Sequence, residues 1–104
     1  MSSDQSLDRA LHAIADPTRR RILLALRDGA AAKKSDGKST ATNSSLCAGD
    51  IEERIHLSQP TISHHMSILT KAGLVEATKQ GQWRWYRRNE KAIRQIVKTL
   101  RTKL

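Results

Sequence analysis

Leu57-Ser58-Gln59-Pro60-Thr61-Ile62-Ser63-His64-His65-Met66-Ser67-Ile68-Leu69-Thr70-Lys71-Ala72-Gly73 is the stretch on which the fold turns. It reads as a helix with a marked start and a marked stop. Ser58 can cap it, because a serine oxygen accepts from the free N–H groups of a first turn. Pro60 falls inside that turn, where its missing N–H costs little. Leu57 and Ile62 have the spacing of a hydrophobic staple across the cap. Gly73 ends the helix, since glycine takes the left-handed geometry there without strain. Ile62, Met66 and Leu69 repeat at i, i+4, i+7 and predict a core stripe. Pro60, His64 and Ser67 point roughly the opposite way, with Thr61 and Ser63 on the flanks. That outer face has no large aliphatic before Ile68 and no acid, so it can lie against DNA base edges without repelling phosphate. An ordinary solvated helix face is the other reading.

Working outward, Cys47–Ile55 reads as a short helix with Ile51 and Ile55 on one face, and His56-Leu57 as a tight connection. A short helix, a brief turn and a longer helix with a polar face make a helix-turn-helix over residues 46–73. On the other side, Leu74–Lys79 and Gln82–Arg87 are strand-like runs around Gln80-Gly81. Their β-branched and aromatic residues favour strand and the glycine supplies the turn. An antiparallel hairpin directly after such a helix is a wing, here residues 74–87. Lys79, Gln82, Arg84 and Arg87 place donors and positive charge along it. Trp83, Trp85 and Tyr86 are read as strand and core packing rather than base stackers, because alternation turns some of them inward.

Composition agrees with a polyanionic partner. A formal net charge of +9 on 104 residues suits nucleic acid first and an anionic membrane second. The length indicates one domain, residues 1–104, with a small core for its surface. Phe is absent, so aliphatic residues must fill that core. No apolar run approaches the roughly 20 residues of a membrane span. Residues 1–8 have neither the basic n-region nor the apolar h-region of a signal peptide. Cys47 is the single cysteine and cannot form an intrachain disulfide, which points to a reducing interior. Paired carboxylates near a His, a nucleophile elbow and a phosphate-binding glycine loop are all missing from the sequence, so catalysis is not expected.

The outer segments are helical. Leu7, Leu11 and Ile14 give a first helix over residues 6–15 an apolar stripe that needs a partner. Asp16 can cap and Pro17 can open a second helix that runs to about Arg27 and closes at Asp28-Gly29. Ile22, Leu23 and Leu26 form its buried side. Arg19, Arg20 and Arg21 oppose the dipole of that helix; phosphate and acidic surface partners are alternative reasons for them. Residues 30–45 contain no large apolar side chain before Leu46 and read as a flexible inserted loop, expected to be poorly ordered. A final helix over residues 89–104 carries the stripe Ile93, Ile96, Val97, Leu100 and Leu104, with Lys91, Arg94, Lys98, Arg101 and Lys103 on its other face. Leu7, Leu11 and Ile14 together with Ile93, Ile96, Val97 and Leu100 are therefore read as the interface of a homodimer whose terminal helices pair across a two-fold axis. Membrane-surface binding by the basic last helix is the minor reading.

Ala15-Asp-Pro-Thr-Arg-Arg-Arg-Ile-Leu, Leu46-Cys-Ala-Gly-Asp-Ile, Leu57-Ser-Gln-Pro-Thr-Ile-Ser-His-His-Met and Lys71-Ala-Gly-Leu-Val, in that order, resemble the ArsR/SmtB-type winged-helix repressors. The resemblance covers about Leu11 to Arg88. It implies a mainly α fold with a small β-hairpin, a winged helix-turn-helix in the order α-α-α-α-β-β-α. It further implies a cytoplasmic homodimer that binds double-stranded DNA at an inverted-repeat operator and represses transcription. Ser58, Gln59, Thr61, Ser63, His64 and His65 would lie in or beside the major groove, with Ser67 on the same face. Lys79, Gln82 and Arg84 would fall on the wing, with Arg87 further along it. Two departures matter. Metal-sensing members carry Cys-x-Cys-Asp where this chain has Cys47-Ala48-Gly49-Asp50, and one soft ligand does not make a closed site. The last helix has Glu90 but no His or Asp for the other family site. Neither a metal nor a cofactor is expected, and no inducer follows from the sequence. The second departure is the length of the 30–45 stretch. His64 and His65 are adjacent and point about 100° apart, a poor chelating pair, and neither His12 nor His56 is assigned to a ligand shell. A module that mainly binds a protein partner is the alternative function.

Overall fold

The computed structural model describes residues 2–35 and 45–104. Its element order is α1 (Ser2–Ile14), α2 (Pro17–Ser35), β1 (Leu46–Cys47), α3 (Ala48–Ile55), α4 (Gln59–Lys71), β2 (Val75–Gln80), β3 (Trp83–Arg88) and α5 (Glu90–Lys103). The helix-turn-helix and wing stand where the sequence predicts them. One strand is additional: β1 joins the hairpin, so the sheet has three antiparallel strands in the order β1-β3-β2. Leu46 pairs with Tyr86 and Cys47 with Trp85. Residue 47 therefore belongs to a strand and to the cap of α3, not to its first turn. The Asp50 carboxylate accepts from the Cys47 backbone N–H at 3.3 Å.

The second helix is longer than expected. It passes through Asp28-Gly29 to Ser35, covering the first part of the expected loop. A helical glycine costs only about 1 kcal/mol relative to alanine, and Ala30, Ala31 and Ala32, the best helix formers, follow it. The remaining part of that loop, residues 36–44, lies outside the described residues. At its start the helix is capped as expected, with Asp16 Oδ1 accepting from the Thr18 N–H at 2.7 Å and from the Arg19 N–H at 3.3 Å.

Ile22 and Leu26 of α2, Ile51 and Ile55 of α3, and Ile62, Met66 and Leu69 of α4 meet in one core, closed on the sheet side by Leu46, Val75 and Tyr86. From α1 the core takes Ala10 and Ala13, both fully buried. Leu7 and Ile14 are only half-buried and Leu11 is 38% exposed. α1 thus turns its small residues inward, and much of its leucine stripe is not used within the protomer.

Gly73 terminates α4 as predicted. Its φ is +79°. The Gly73 N–H donates to Thr70 O at 3.0 Å and the Leu74 N–H to Leu69 O at 3.1 Å, a Schellman pair that seats buried Leu74 beside Leu69. A Cβ on Gly73 would meet nothing within 4 Å. Gly73→Ala is therefore expected to cost only the backbone term, about 1 kcal/mol, read as a fall of about 5 °C in melting temperature.

Candidate nucleic-acid interface

α4 is held by its apolar stripe. Ile62, Met66 and Leu69 are buried, which turns Gln59, Pro60, Ser63, His64 and Ser67 into solvent. The predicted polar face is therefore the exposed face. Ser58 sits at the N-cap with extended backbone but makes no capping bond to the first turn. Its hydroxyl lies 3.0 Å from the Thr61 hydroxyl instead, so the two short polar side chains at the helix entry engage each other. The turn into α4 is made by His56, whose φ of +63° is left-handed, and its N–H donates to Glu52 O at 2.8 Å.

The wing is a tight hairpin. Gln80 pairs with Trp83, leaving Gly81 and Gln82 as the two-residue turn, with Gly81 at φ +61°. The same register puts Lys79 opposite Arg84 and Glu76 opposite Arg87. Between wing and α4 runs an open groove of about 590 Å³, to which Gln59 and Ser63 contribute from α4 and Lys79, Gln82, Trp83 and Arg84 from the wing. Arg84 also faces Ser67 across a smaller adjoining cleft. Glu52 of α3 is an acid on the wall of the larger groove.

The structure thus brings Gln59, Ser63, Ser67, Lys79, Gln82 and Arg84 together, with Ser58, Thr61 and His64 on or beside the same helix face. Arg87 is not part of this cluster. Its Nε donates to Glu76 Oε1 at 2.9 Å across the hairpin, and it lines a different depression with Leu26 and Glu90. Strands ending at Lys79 and restarting at Gln82, as the sequence predicts, would set Glu76 opposite Trp85; the observed turn at residues 81–82 shifts the register by two and sets it opposite Arg87. Of the three aromatics, only Tyr86 is core, at 5% exposure. Trp85 is half-buried and Trp83, at the wing end, is 60% exposed on the groove. The packing reading therefore fails for Trp83, because a strand residue beside the turn outruns the body of the domain.

The arginine triplet of α2 serves neighbouring helix ends. Arg19, 6% exposed, donates from Nε to Ala13 O at 2.6 Å and from Nη2 to His12 O at 3.1 Å. Arg20 Nη1 donates to Ile14 O at 2.6 Å. Arg21 makes a long contact of 3.5 Å to Ile55 O, at the end of α3. The free carbonyls of a helix C-terminus attract cations, and this outweighs the unfavourable position of Arg19 and Arg20 at the start of their own helix. Arg19 also lies 3.8 Å from Asp16 Oδ2 and 3.1 Å from His65 Nδ1 on α4. Burial pushes the His65 imidazole below its ordinary pKa; the Asp16 charge opposes this, and Arg19 and His64 reinforce it. Desolvation is the largest influence on Asp16 and raises its pKa, but the Thr18 and Arg19 amides and the Arg19 and His65 charges together hold the carboxyl below its usual value.

Among the described residues, no group of three or more His, Cys, Asp or Glu side chains could hold a metal ion, and no helix is long and apolar enough to cross a membrane.

A sequence model of the arsR family of bacterial regulatory proteins matches residues 41–77. An HTH-type transcriptional regulator of Methanocaldococcus jannaschii is 38% identical over 86 residues, which are 83% of this chain and 81% of that one. The transcriptional repressor SdpR of Bacillus subtilis is 32% identical over 91 residues, 88% of this chain and 84% of its own. Among solved structures, a homodimeric winged helix-turn-helix DNA-binding domain from Mycobacterium bovis superposes with a TM-score of 0.71 at 22% identity, covering 97% of this chain and 81% of that one. With these relatives, and with a polar helix and a cationic wing facing one groove, the chain belongs to the ArsR family and is a winged helix-turn-helix DNA-binding regulator of transcription.

Proposed function

We propose that this chain is a sequence-specific repressor that binds an inverted-repeat operator as a homodimer. The observation that carries the reading is the acid-free outer face of α4 standing beside a wing that presents Lys79, Gln82 and Arg84 to the same groove. Gln59, Ser63, His64 and Ser67 supply base and backbone contacts from α4, with Ser58, Thr61 and His65 at its flank. Lys79 and Arg84 attract phosphate. Arg87, tied to Glu76, has the weakest case as a contact. The two-fold pairing uses α1 and α5, where Leu11, Val97 and Leu104 remain exposed in the protomer. The Mycobacterium bovis domain of the same fold is homodimeric, which supports a homodimer here; the choice of α1 and α5 rests on their exposed apolar side chains. Metal sensing through the usual family sites is not part of the reading, since Ala48 and Gly49 follow Cys47 and α5 carries Glu90 but no His or Asp. A cytoplasmic location accords with this function.

Rounds of selection from a randomised duplex pool test the proposal. The expected product is a two-fold repeat. Binding to it should fall by about a thousandfold between 50 and 200 mM salt if six or more phosphates are neutralised. Arg84→Ala should weaken all sequences alike and reduce the salt slope by about one unit, whereas Gln59→Ala should relax preference at one position in each half-site. A folded chain that enriches no sequence and elutes bound to another protein would decide for the protein-binding alternative.

A further inference from the structure

Arg19 can only donate hydrogen bonds, because a guanidinium has no acceptor. Its Nη1 stands 3.1 Å from His65 Nδ1. The nitrogen facing it must therefore carry the lone pair, and the single proton of the neutral ring must sit on Nε2. His65 lies on the flank of α4, half-buried, between the core stripe and the exposed His64. From the geometry of this contact we infer that Arg19 is a positioning residue that sets His65 as a neutral Nε2–H donor, to a phosphate oxygen or a base acceptor of bound DNA. The inference rests on the proposed DNA contact of α4 and adds which ring nitrogen makes it, and in which protonation state.

The surroundings agree. The charged and titratable groups acting on the ring are Asp16 at the α1–α2 junction, Arg19 on α2 and His64 on α4. Two of these are cationic or can become so, which disfavours an imidazolium. Arg19 itself cannot swing away cheaply, because two further donors are held by the end of α1. One buried side chain therefore ties the C-terminus of the first helix to the orientation of a ring on the reading helix. Among the described residues His64 meets no guanidinium and has only the His65 ring beside it, centroids 5.6 Å apart.

The test has two arms. Long-range 15N–1H correlation spectra of the full chain at pH 7.5, with His65→Gln to assign the signal, should show His65 as a single Nε2–H tautomer while His64 averages between forms. An Nδ1–H tautomer, or a protonated ring, would overturn the inference whatever the protein does with DNA. In the second arm, a duplex enriched by the unaltered chain from the randomised pool is titrated at several salt concentrations. His65→Gln keeps an acceptor for Arg19 and a donor for DNA, and should bind within about threefold of the unaltered chain. His65→Leu keeps neither and should lose about tenfold, the size of one hydrogen bond, with an unchanged salt slope because a neutral donor displaces no counterion. If His65→Leu binds normally while Gln59→Ala does not, the role of α4 survives and this inference fails. If the unaltered chain binds no duplex, the contact falls with the reading beneath it, and the spectra still report whether Arg19 sets the tautomer.

Discussion

Arg19→Ala is expected to lower the unfolding free energy by about 3 kcal/mol, and the melting temperature by about 15 °C at fixed protein concentration. The position is exposed to only 6%, so water cannot freely replace what the guanidinium provides. Ala13 O and His12 O lose their donor together, at 2.6 and 3.1 Å. Asp16 keeps its amide donors from Thr18 and residue 19 but loses the cation 3.8 Å away. By contrast, Arg87→Ala removes an ion pair whose partners are about half exposed, and such pairs contribute under about 1 kcal/mol. Differential scanning calorimetry of the two variants separates the cases, and equal melting temperatures would refute the structural weight assigned to Arg19. The pH dependence adds a signature. His65 has a pKa below its ordinary 6.5 in the folded chain, so the unfolded chain binds more protons in that window. Stability should be complete above pH 6.5 and erode as the pH falls toward the lower folded value. Burial remains in Arg19→Ala but the neighbouring cation is gone, so the erosion should be shallower in that variant.

Val97→Glu should separate folding from function. Val97 is 52% exposed in the single protomer, so a carboxylate there meets water and the domain keeps its core. In a two-fold pairing through α5 the same carboxylate would be buried without a partner, at a cost of several kcal/mol. The expected result is a folded monomer by sedimentation. Its affinity for a two-half-site duplex should fall by about a hundredfold or more, because the second half-site contact is no longer intramolecular. Binding to a single half-site should change little. Ile93→Glu and Ile96→Glu are worse probes of assembly, since both side chains also pack on the protomer's own core. A dimer in Val97→Glu, with unchanged affinity, would remove α5 from the interface.

Local signals carried far in this chain. The cap at Asp16, the stop at Gly73, the turn at Gly81 and the i, i+4, i+7 stripe of Ile62, Met66 and Leu69 are each written within a dozen residues, and each stands where the sequence predicts it. The exposed face of α4 follows from that stripe, so most of the candidate interface was legible too. β1 was not, because two residues have no measurable alternation; Leu46 and Cys47 become a strand only because β3 offers them an edge. Nor was the exposure of Trp83, which depends on how far the hairpin outreaches the body.

Apolar periodicity and turn glycines therefore determined the helix-turn-helix, the wing and the polar face, since both are written in the spacing of residues within one segment, although the cap expected of Ser58 did not form. Tertiary structure alone decided that α1 buries Ala10 and Ala13 rather than its leucines, and that the Arg19–Arg21 cations serve the ends of other helices. It also decided that Arg19 meets His65 across 46 residues of chain. A buried donor is defined by the acceptor that folding brings to it, and that acceptor lies on another segment of the chain.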